Sequence, residues 1–269
     1  MASDLSDEIL ERALVGRFGR YRRVYDSIDS TNLEALRWAA EQGAAEGSLV
    51  VADSQTAGRG RWGRSWLSQP GAGLMFSVVL RPEAPVQPGL ITTAGGLAVA
   101  GAIERTTGLR TALKWPNDVL IDERKVSGVL VETRSIGHAS NAIVLGAGIN
   151  LHWRSNDLPE EIAERATSVA QELEHKGRGR VPPRAELLAA VVHDLEVLYD
   201  ELGSHSGRVR IIERATALSS ILGGEVTIRF ADGSSTSGVA ASLGPDGALI
   251  FDDGTVIDSG EILRIRPVP

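Results

Sequence analysis

The chain contains no cysteine, which excludes disulfides and thiolate-bound metals at once. Its five histidines, at 138, 152, 175, 193 and 205, include no pair four residues apart and no His-Glu-x-x-His arrangement, so a histidine-built zinc centre is not expected. Basic residues are in the minority: 28 Lys and Arg face 35 Asp and Glu, a formal charge of −7. That sign is opposite to the footprint of a protein that neutralises many phosphates along a duplex, so nucleic acid is not an expected partner. No apolar run reaches the roughly 18 residues of a membrane span. The acidic start, MASDLSDEIL, lacks the charged-then-apolar plan of a signal peptide. These absences predict no membrane partner and a cytoplasmic location.

What is present is 269 residues, 42% hydrophobic and 23% charged, the balance of a globular protein able to bury a core. That length predicts two unequal units. Ser6 to Val15 carries Ile9, Leu10 and Leu14 near one helical face, and Tyr21 to Ile28 reads as a short strand. The little chain before them is too short for a winged helix-turn-helix, with its three helices of about 12 residues each. Thr31-Asn32-Leu33-Glu34 has capping-box spacing and opens an apolar helix that ends near Gly43. Strand-like runs follow at Ser48–Asp53, Leu74–Leu80, Val119–Ile121, Val126–Glu132 and Ala142–Gly148, with an Ala/Gly-rich helix from about Leu90 to Thr107 among them. Pro183 is a plausible first helical residue before the helix Ala185–Leu202, and Val209–Leu218 forms another. Past Gly223 and Gly224 the texture becomes short alternating strands, EVTIRF, SGVAAS, ALIFD and TVID, separated by ADGS, GPDG and DDGT turns. The expected fold is α+β: a main domain over 1–220 built on a mixed sheet, and a small antiparallel barrel over 221–269.

The densest chemical signal is Gly58-Arg59-Gly60-Arg61-Trp62-Gly63-Arg64-Ser65-Trp66, with three glycines, three arginines and two tryptophans in nine positions. Glycine lets backbone approach a ligand, arginine pairs with phosphate through two parallel donors, and tryptophan offers a face to a base. Gly58, Gly60 and Gly63 also spell G-x-G-x-x-G, but a dinucleotide fold needs a helix to begin there, and Arg64 to Pro70 has no helical pattern. No Walker lysine motif occurs anywhere. Alone, such a stretch is as readily a solvated basic turn; the flanking motifs weigh against that. Lys114-Trp115-Pro116-Asn117-Asp118 precedes Lys125 and then Gly128, a glycine inside an apolar run that often marks close approach by a ligand or another backbone. Taken alone, Lys114 reads as a solvated strand-end lysine and Asn117-Asp118 as a turn. Gly146-Ala147-Gly148-Ile149-Asn150 removes side chains near a strand end, leaving room for a ligand or for a closely packed helix.

Taken together, Ser30-Thr31-Asn32, Gln55 to Arg61, Lys114 to Asp118, Lys125-x-x-Gly128 and Gly146-x-Gly148-x-Asn150 occur in the order and spacing seen in biotin protein ligases, and the chain resembles that family closely from about Tyr25 to Asn150. The resemblance implies a mixed-sheet catalytic domain related to class II aminoacyl-tRNA synthetases, a C-terminal SH3-like barrel, and the single-function type without a DNA-binding domain. It implies biotin and ATP as substrates, Mg2+ as the accompanying ion, and transfer of biotin through its adenylate to a lysine of a biotin carboxyl carrier protein or domain. The biotin-site residues it implies are Ser30, Thr31, Asn32, Gln55, Gly58, Arg59, Gly60, Arg61, Lys125, Gly128 and Gly148. Arg61, Arg64, Trp66, Asn117, Lys125 and Asn150 are implied for ATP or the adenylate, with Lys125, Arg61 and Asp118 carrying the catalysis. The resemblance leaves open the metal ligands, a homodimer, and which of Arg264 and Arg266 approaches the nucleotide. A lipoate or octanoate transferase of related fold and a non-catalytic biotin-sensing regulator are the rival readings; the complete arginine-glycine loop and the short N-terminus speak against them.

Overall fold

The computed structural model describes residues 4–136, 140–154, 157, 159–177 and 179–267. In chain order the larger part comprises α1 (Asp7–Ala13), β1 (Arg22–Ile28), α2 (Thr31–Glu41), β2 (Leu49–Gln55), β3 (Gly73–Leu80), α3 (Pro88–Thr107), β4 (Ala112–Lys114), β5 (Asp118–Ile121), β6 (Arg124–Ile136), β7 (Ser140–Asn150), α4 (Glu160–Ala163), α5 (Val169–His175), α6 (Arg184–Leu202) and α7 (His205–Ala217). Its seven strands form one mixed sheet in the order β1-β2-β3-β7-β6-β5-β4, parallel between β1 and β2 and antiparallel elsewhere.

Strand β3, GLMFSVVL, is buried at every position because it lies inside the sheet with α2 and α6 both packed against it. A strand covered on both faces has no solvent side to alternate with, which is why it reads as a continuous apolar run. The glycines of α3 let that helix settle closely on the sheet: a Cβ at Gly95 would stand 2.7 Å from the Leu145 side chain. The helix stops at Gly108, whose φ of 71° supplies the left-handed cap. Arg184 at the start of α6 is buried between Asp4 and Asp53 and so ties the N-terminal segment to β2.

Two local expectations are corrected. The capping box expected over Thr31 to Glu34 does not form: Thr31 is already helical, the N-cap is Ser30, whose side chain makes no capping bond, and Glu34 accepts from Arg23 (2.7 Å) and Tyr25 (2.8 Å) on β1. Pro183 is the N-cap residue of α6 rather than its first helical residue. The short elements β4, α4 and α5 lacked a detectable period, being 3, 4 and 7 residues long.

The remaining strands, β8 (Gly224–Arg229), β9 (Ser235–Leu243), β10 (Leu249–Phe251), β11 (Val256–Ile257) and β12 (Glu261–Pro267), form a second antiparallel sheet in the order β11-β10-β9-β8-β12. Its core gathers Val226, Ile228, Leu249, Phe251 and Ile262 around Trp115, which comes from the larger sheet's β4–β5 turn and donates its indole N–H to the Gly247 carbonyl at 3.0 Å. Strand β12 was not expected from the sequence; its pairing with β8 shifts register between Ile262 and Arg264. The Arg264 and Arg266 side chains lie outside the described residues.

Candidate active site

A cleft opens over the middle of the large sheet. Ser30, Thr31 and Asn32 reach it from the start of α2, Gln55 from the end of β2, Gly128 from β6, Gly146 and Gly148 from β7, and Arg59 and Trp66 from the glycine loop. The small residues have a direct steric reason. A Cβ at Gly146 would stand 1.9 Å from the Asn32 Oδ1, and one at Gly148 would stand 2.4 Å from the Trp66 ring. Close packing of helix α2, through Asn32, therefore accounts for Gly146, and close approach of the Trp66 indole accounts for Gly148.

The floor of the cleft is a hydrogen-bonded chain. The Thr31 N–H donates to Gln55 Oε1 at 2.8 Å, and its hydroxyl lies 3.1 Å from the same oxygen. Ser77, fully buried on β3, lies 2.8 Å from the Thr31 hydroxyl and donates to Asn32 Oδ1 at 2.6 Å. The Asn32 amide in turn donates to Glu132 Oε2 at 2.8 Å, and Glu132 pairs with Arg59 at 3.1 Å. Buried polar groups need such partners, and a chain of them fixes which atoms remain to meet a ligand. Ser77 was missed; its signal is that it is the one polar residue within Leu74–Leu80. Replacing Gly146 with alanine is expected to overpack this floor and push Asn32 aside, at a typical cost of about 1–3 kcal/mol. Urea unfolding and ligand titration of the variant measure both consequences; wild-type values in both would contradict the steric account.

Beside the cleft lies a charged cluster. Lys125 Nζ stands 2.6 Å from Asp118 Oδ1 and 5.4 Å from the Trp66 ring centroid. In a regular strand Lys125 and Gly128 would face opposite ways, but the β5–β6 register shifts between Val119 and Leu120. This bulge re-aims the lysine, so that its Nζ lies 3.0 Å from where a Gly128 Cβ would stand. Arg61 donates to the Gly260 carbonyl at 2.8 Å, and burial lowers its pKa against the attraction of Asp118. Arg64 pairs with Glu261 at 2.6 Å, and Glu261 also binds Arg229 at 2.7 Å. The glycine loop itself is a tight hairpin, with an Arg59–Ser65 bridge, Gly60 N–H to Arg64 O at 2.7 Å and Trp66 N–H to Gly58 O at 2.9 Å. No helix begins there: a three-residue 3-10 turn, Arg61–Gly63, holds Trp62 at φ 57°. The dinucleotide-binding reading is thereby excluded on geometry as well as on pattern.

The remaining expected residues brace backbone. Asn117 donates to the Val129 carbonyl and the buried Asn150 to the Thr167 carbonyl, both at 3.0 Å. The resemblance also implies a loop on the adenine side at 152–159, of which residues 155, 156 and 158 lie outside the described residues. Among the described residues no three His, Asp or Glu converge as a metal site.

Lys114 is not the solvated lysine expected from its position in the strand. It is half-buried, and desolvation holds its pKa below the ordinary 10.5 despite the nearby Asp118 and Glu261. The unfolded chain thus binds more protons than the folded one between the lowered pKa and 10.5, so stability rises with pH across that window. Lys114→Met is therefore expected to be more stable than the wild type at pH 7, the advantage fading as the pH approaches 10.5. Denaturant midpoints of the two proteins across that range check the sign; a gap that widens with pH would refute it.

The mixed sheet carries the glycine hairpin and the polar-floored cleft in an α+β fold, and residues 24–150 match the model of the Biotin/lipoate A/B protein ligase family. The chain is 30% identical over 272 residues to the biotin–[acetyl-CoA-carboxylase] ligase of Mycobacterium tuberculosis, covering 97% of this chain and 96% of that one. It is 32% identical over 231 residues to the bifunctional ligase/repressor BirA of Bacillus subtilis, covering 85% and 69% of the two. Its fold matches the biotin protein ligase of Aquifex aeolicus, solved in complex with biotin and ATP, with a TM-score of 0.76 and 32% identity over 93% of this chain and 100% of that one. The chain belongs to the biotin protein ligase family and is an enzyme of that type.

Proposed function

We propose that the protein joins biotin to ATP to form biotinyl-5'-AMP and passes the biotinyl group to a specific lysine of a biotin carboxyl carrier protein or domain. The observation that carries this reading is a polar-floored cleft with Lys125 against its lining residues Trp66 and Gly128, and Arg61 near the Asp118 that Lys125 pairs with. Biotin's ureido ring presents one acceptor and two donors, which suit the short polar groups of Ser30, Thr31, Asn32 and Gln55 and the backbone of Gly58 to Arg61. Trp66, Gly128 and Gly148 flank the space left for its apolar body.

In the first step a carboxylate oxygen of biotin attacks the α-phosphorus of ATP, a P–O bond forms to the carboxylate and pyrophosphate leaves. Magnesium enters with ATP as part of that substrate. Two anions must approach each other, so fixed positive charge from Arg61 and Lys125 offsets their repulsion and stabilises the charge developing in the transition state. Arg64 would meet the pyrophosphate, and Asn117 and Asn150 the nucleotide. In the second step the carrier lysine attacks the mixed anhydride and AMP leaves. A free lysine, with pKa about 10.4, is mostly protonated at neutral pH, and Asp118 would orient it or take its proton. Neither step needs a protein nucleophile; the chain supplies position and charge. In this reading residues 1–220 carry the chemistry and residues 221–269 form a separate C-terminal domain.

The test is pyrophosphate release that depends on both biotin and ATP, followed by mass spectrometry of a supplied carrier domain. Release with lipoate in place of biotin, or biotin binding without release, would overturn the assignment.

A further inference from the structure

The buried carboxylate of Glu172, on the short helix α5, takes no part in either proposed step. It is 1% exposed. A buried carboxylate persists only with partners, and this one has two: the Arg124 guanidinium at 2.5 Å and the Thr167 hydroxyl. Both partners adjoin the charged cluster. Arg124 directly precedes Lys125 in the chain. Thr167 belongs to a three-residue stretch that takes up both main-chain groups of Lys125: the Lys125 N–H donates to the Arg165 carbonyl at 2.8 Å, and the Thr167 N–H donates to the Lys125 carbonyl at 2.9 Å. The Thr167 carbonyl accepts the Asn150 amide at 3.0 Å. Ser168, the next residue, donates to the carbonyl of Trp153, three residues past the end of β7, at 2.5 Å.

Lys125 therefore stands on backbone that stretch 165–167 holds in place, at the bulge where the β5–β6 ladder is irregular. The clamp between that stretch and the Lys125 strand is closed by one carboxylate. We infer that Glu172 is a positioning residue for adenylate formation, acting through Arg124 and Thr167 to fix the site from which Lys125 projects and the carbonyl that holds Asn150. This inference rests on the function proposed above. Its chemical logic is that a reacting cation displaced by a fraction of an ångström loses much of its worth, while Thr31, Gln55 and Ser77 of the cleft floor stand on α2, β2 and β3, off the Lys125 strand.

The test compares the full-length wild type with Glu172→Gln, Glu172→Leu and Thr167→Val. The readouts are biotin affinity by calorimetry and biotin-dependent ATP–pyrophosphate exchange at saturating ATP. Both partners reach the same carboxylate oxygen, which the Gln side chain retains as an acceptor, so the Gln variant should exchange at close to the wild-type rate. The Leu variant should exchange about tenfold or more slowly, since a displacement near 1 Å can cost about a hundredfold. Biotin affinity should change far less. Thr167→Val, which keeps the Glu172–Arg124 pair, should show the same split in smaller measure and decides the matter if the Leu variant does not fold. Wild-type exchange in both the Leu and Val variants, or biotin affinity falling in step with exchange, would overturn the positioning role. A wild type without exchange would instead overturn the function on which it rests.

Discussion

Lys125→Ala is expected to leave the protein folded and to cut adenylate formation by about two to three orders of magnitude. That is the size of loss found when one preorganised charge or donor aimed at a transition state is removed, about 2.7–4 kcal/mol. The structure adds a second consequence. Asp118 Oδ1 is buried and has no hydrogen bond beyond its ion pair with Lys125. The single variant thus leaves a carboxylate without its partner, and part of any stability loss comes from Asp118 alone. Pairing Lys125→Ala with Asp118→Asn separates the two effects. Stability should return in the double variant while pyrophosphate release stays low. Near-normal release from folded Lys125→Ala would remove the lysine from the proposed mechanism.

Arg61→Gly is expected to affect retention of the intermediate more than binding of biotin. The guanidinium is largely desolvated and now donates to the Gly260 carbonyl, a neutral acceptor that a phosphate can replace. A lost charge-assisted hydrogen bond is worth roughly 1.5–3 kcal/mol, an approximately ten- to hundredfold faster escape if all of it appears in the off-rate. The change also adds a fourth glycine to a hairpin whose closure is already costly in entropy. Escaped adenylate acylates any exposed lysine, so the assay supplies biotin, ATP and a bystander protein that lacks a carrier domain. More labelling than the wild type produces is the expected result. Equal labelling, with adenylate synthesis still measurable, would show that Arg61 does not retain the intermediate.

The elements with a long period were legible from the residues alone: α3, α6 and the strands around Leu74–Leu80 and Ala142–Gly148 each present a pattern that one backbone geometry satisfies. The elements that escaped are short and owe their form to neighbours. α5 exists where it does because Glu172 and Ser168 find partners on other segments, and nothing local to Val169–His175 announces those partners. The same limit governs the site. Spacing brought out Ser30 to Asn32, the glycine hairpin and Gly148 because they are consecutive or glycine-marked. Ser77 sits inside an apolar run, and its role appears only when Thr31 and Asn32 are seen to rest on it. Glu34 shows the opposite error, a local pattern overridden by tertiary contact: its capping spacing is genuine, but Arg23 and Tyr25 of the neighbouring strand claim the carboxylate.

The placement of Trp66 has a photophysical consequence. Its indole covers Gly148 and Gly128 at the wall of the cleft, with the Lys125 ammonium 5.4 Å from the ring centroid. An indole's emission shifts with nearby charge and with exclusion of water, and both change at this ring when an anion settles beside Lys125. Of the other four tryptophans, Trp115 and Trp153 are buried, and replacing Trp38 and Trp62 by phenylalanine isolates the Trp66 signal from the two that are less buried. The chain therefore carries its own optical gauge, and its intrinsic fluorescence can follow filling of the cleft in real time without any label.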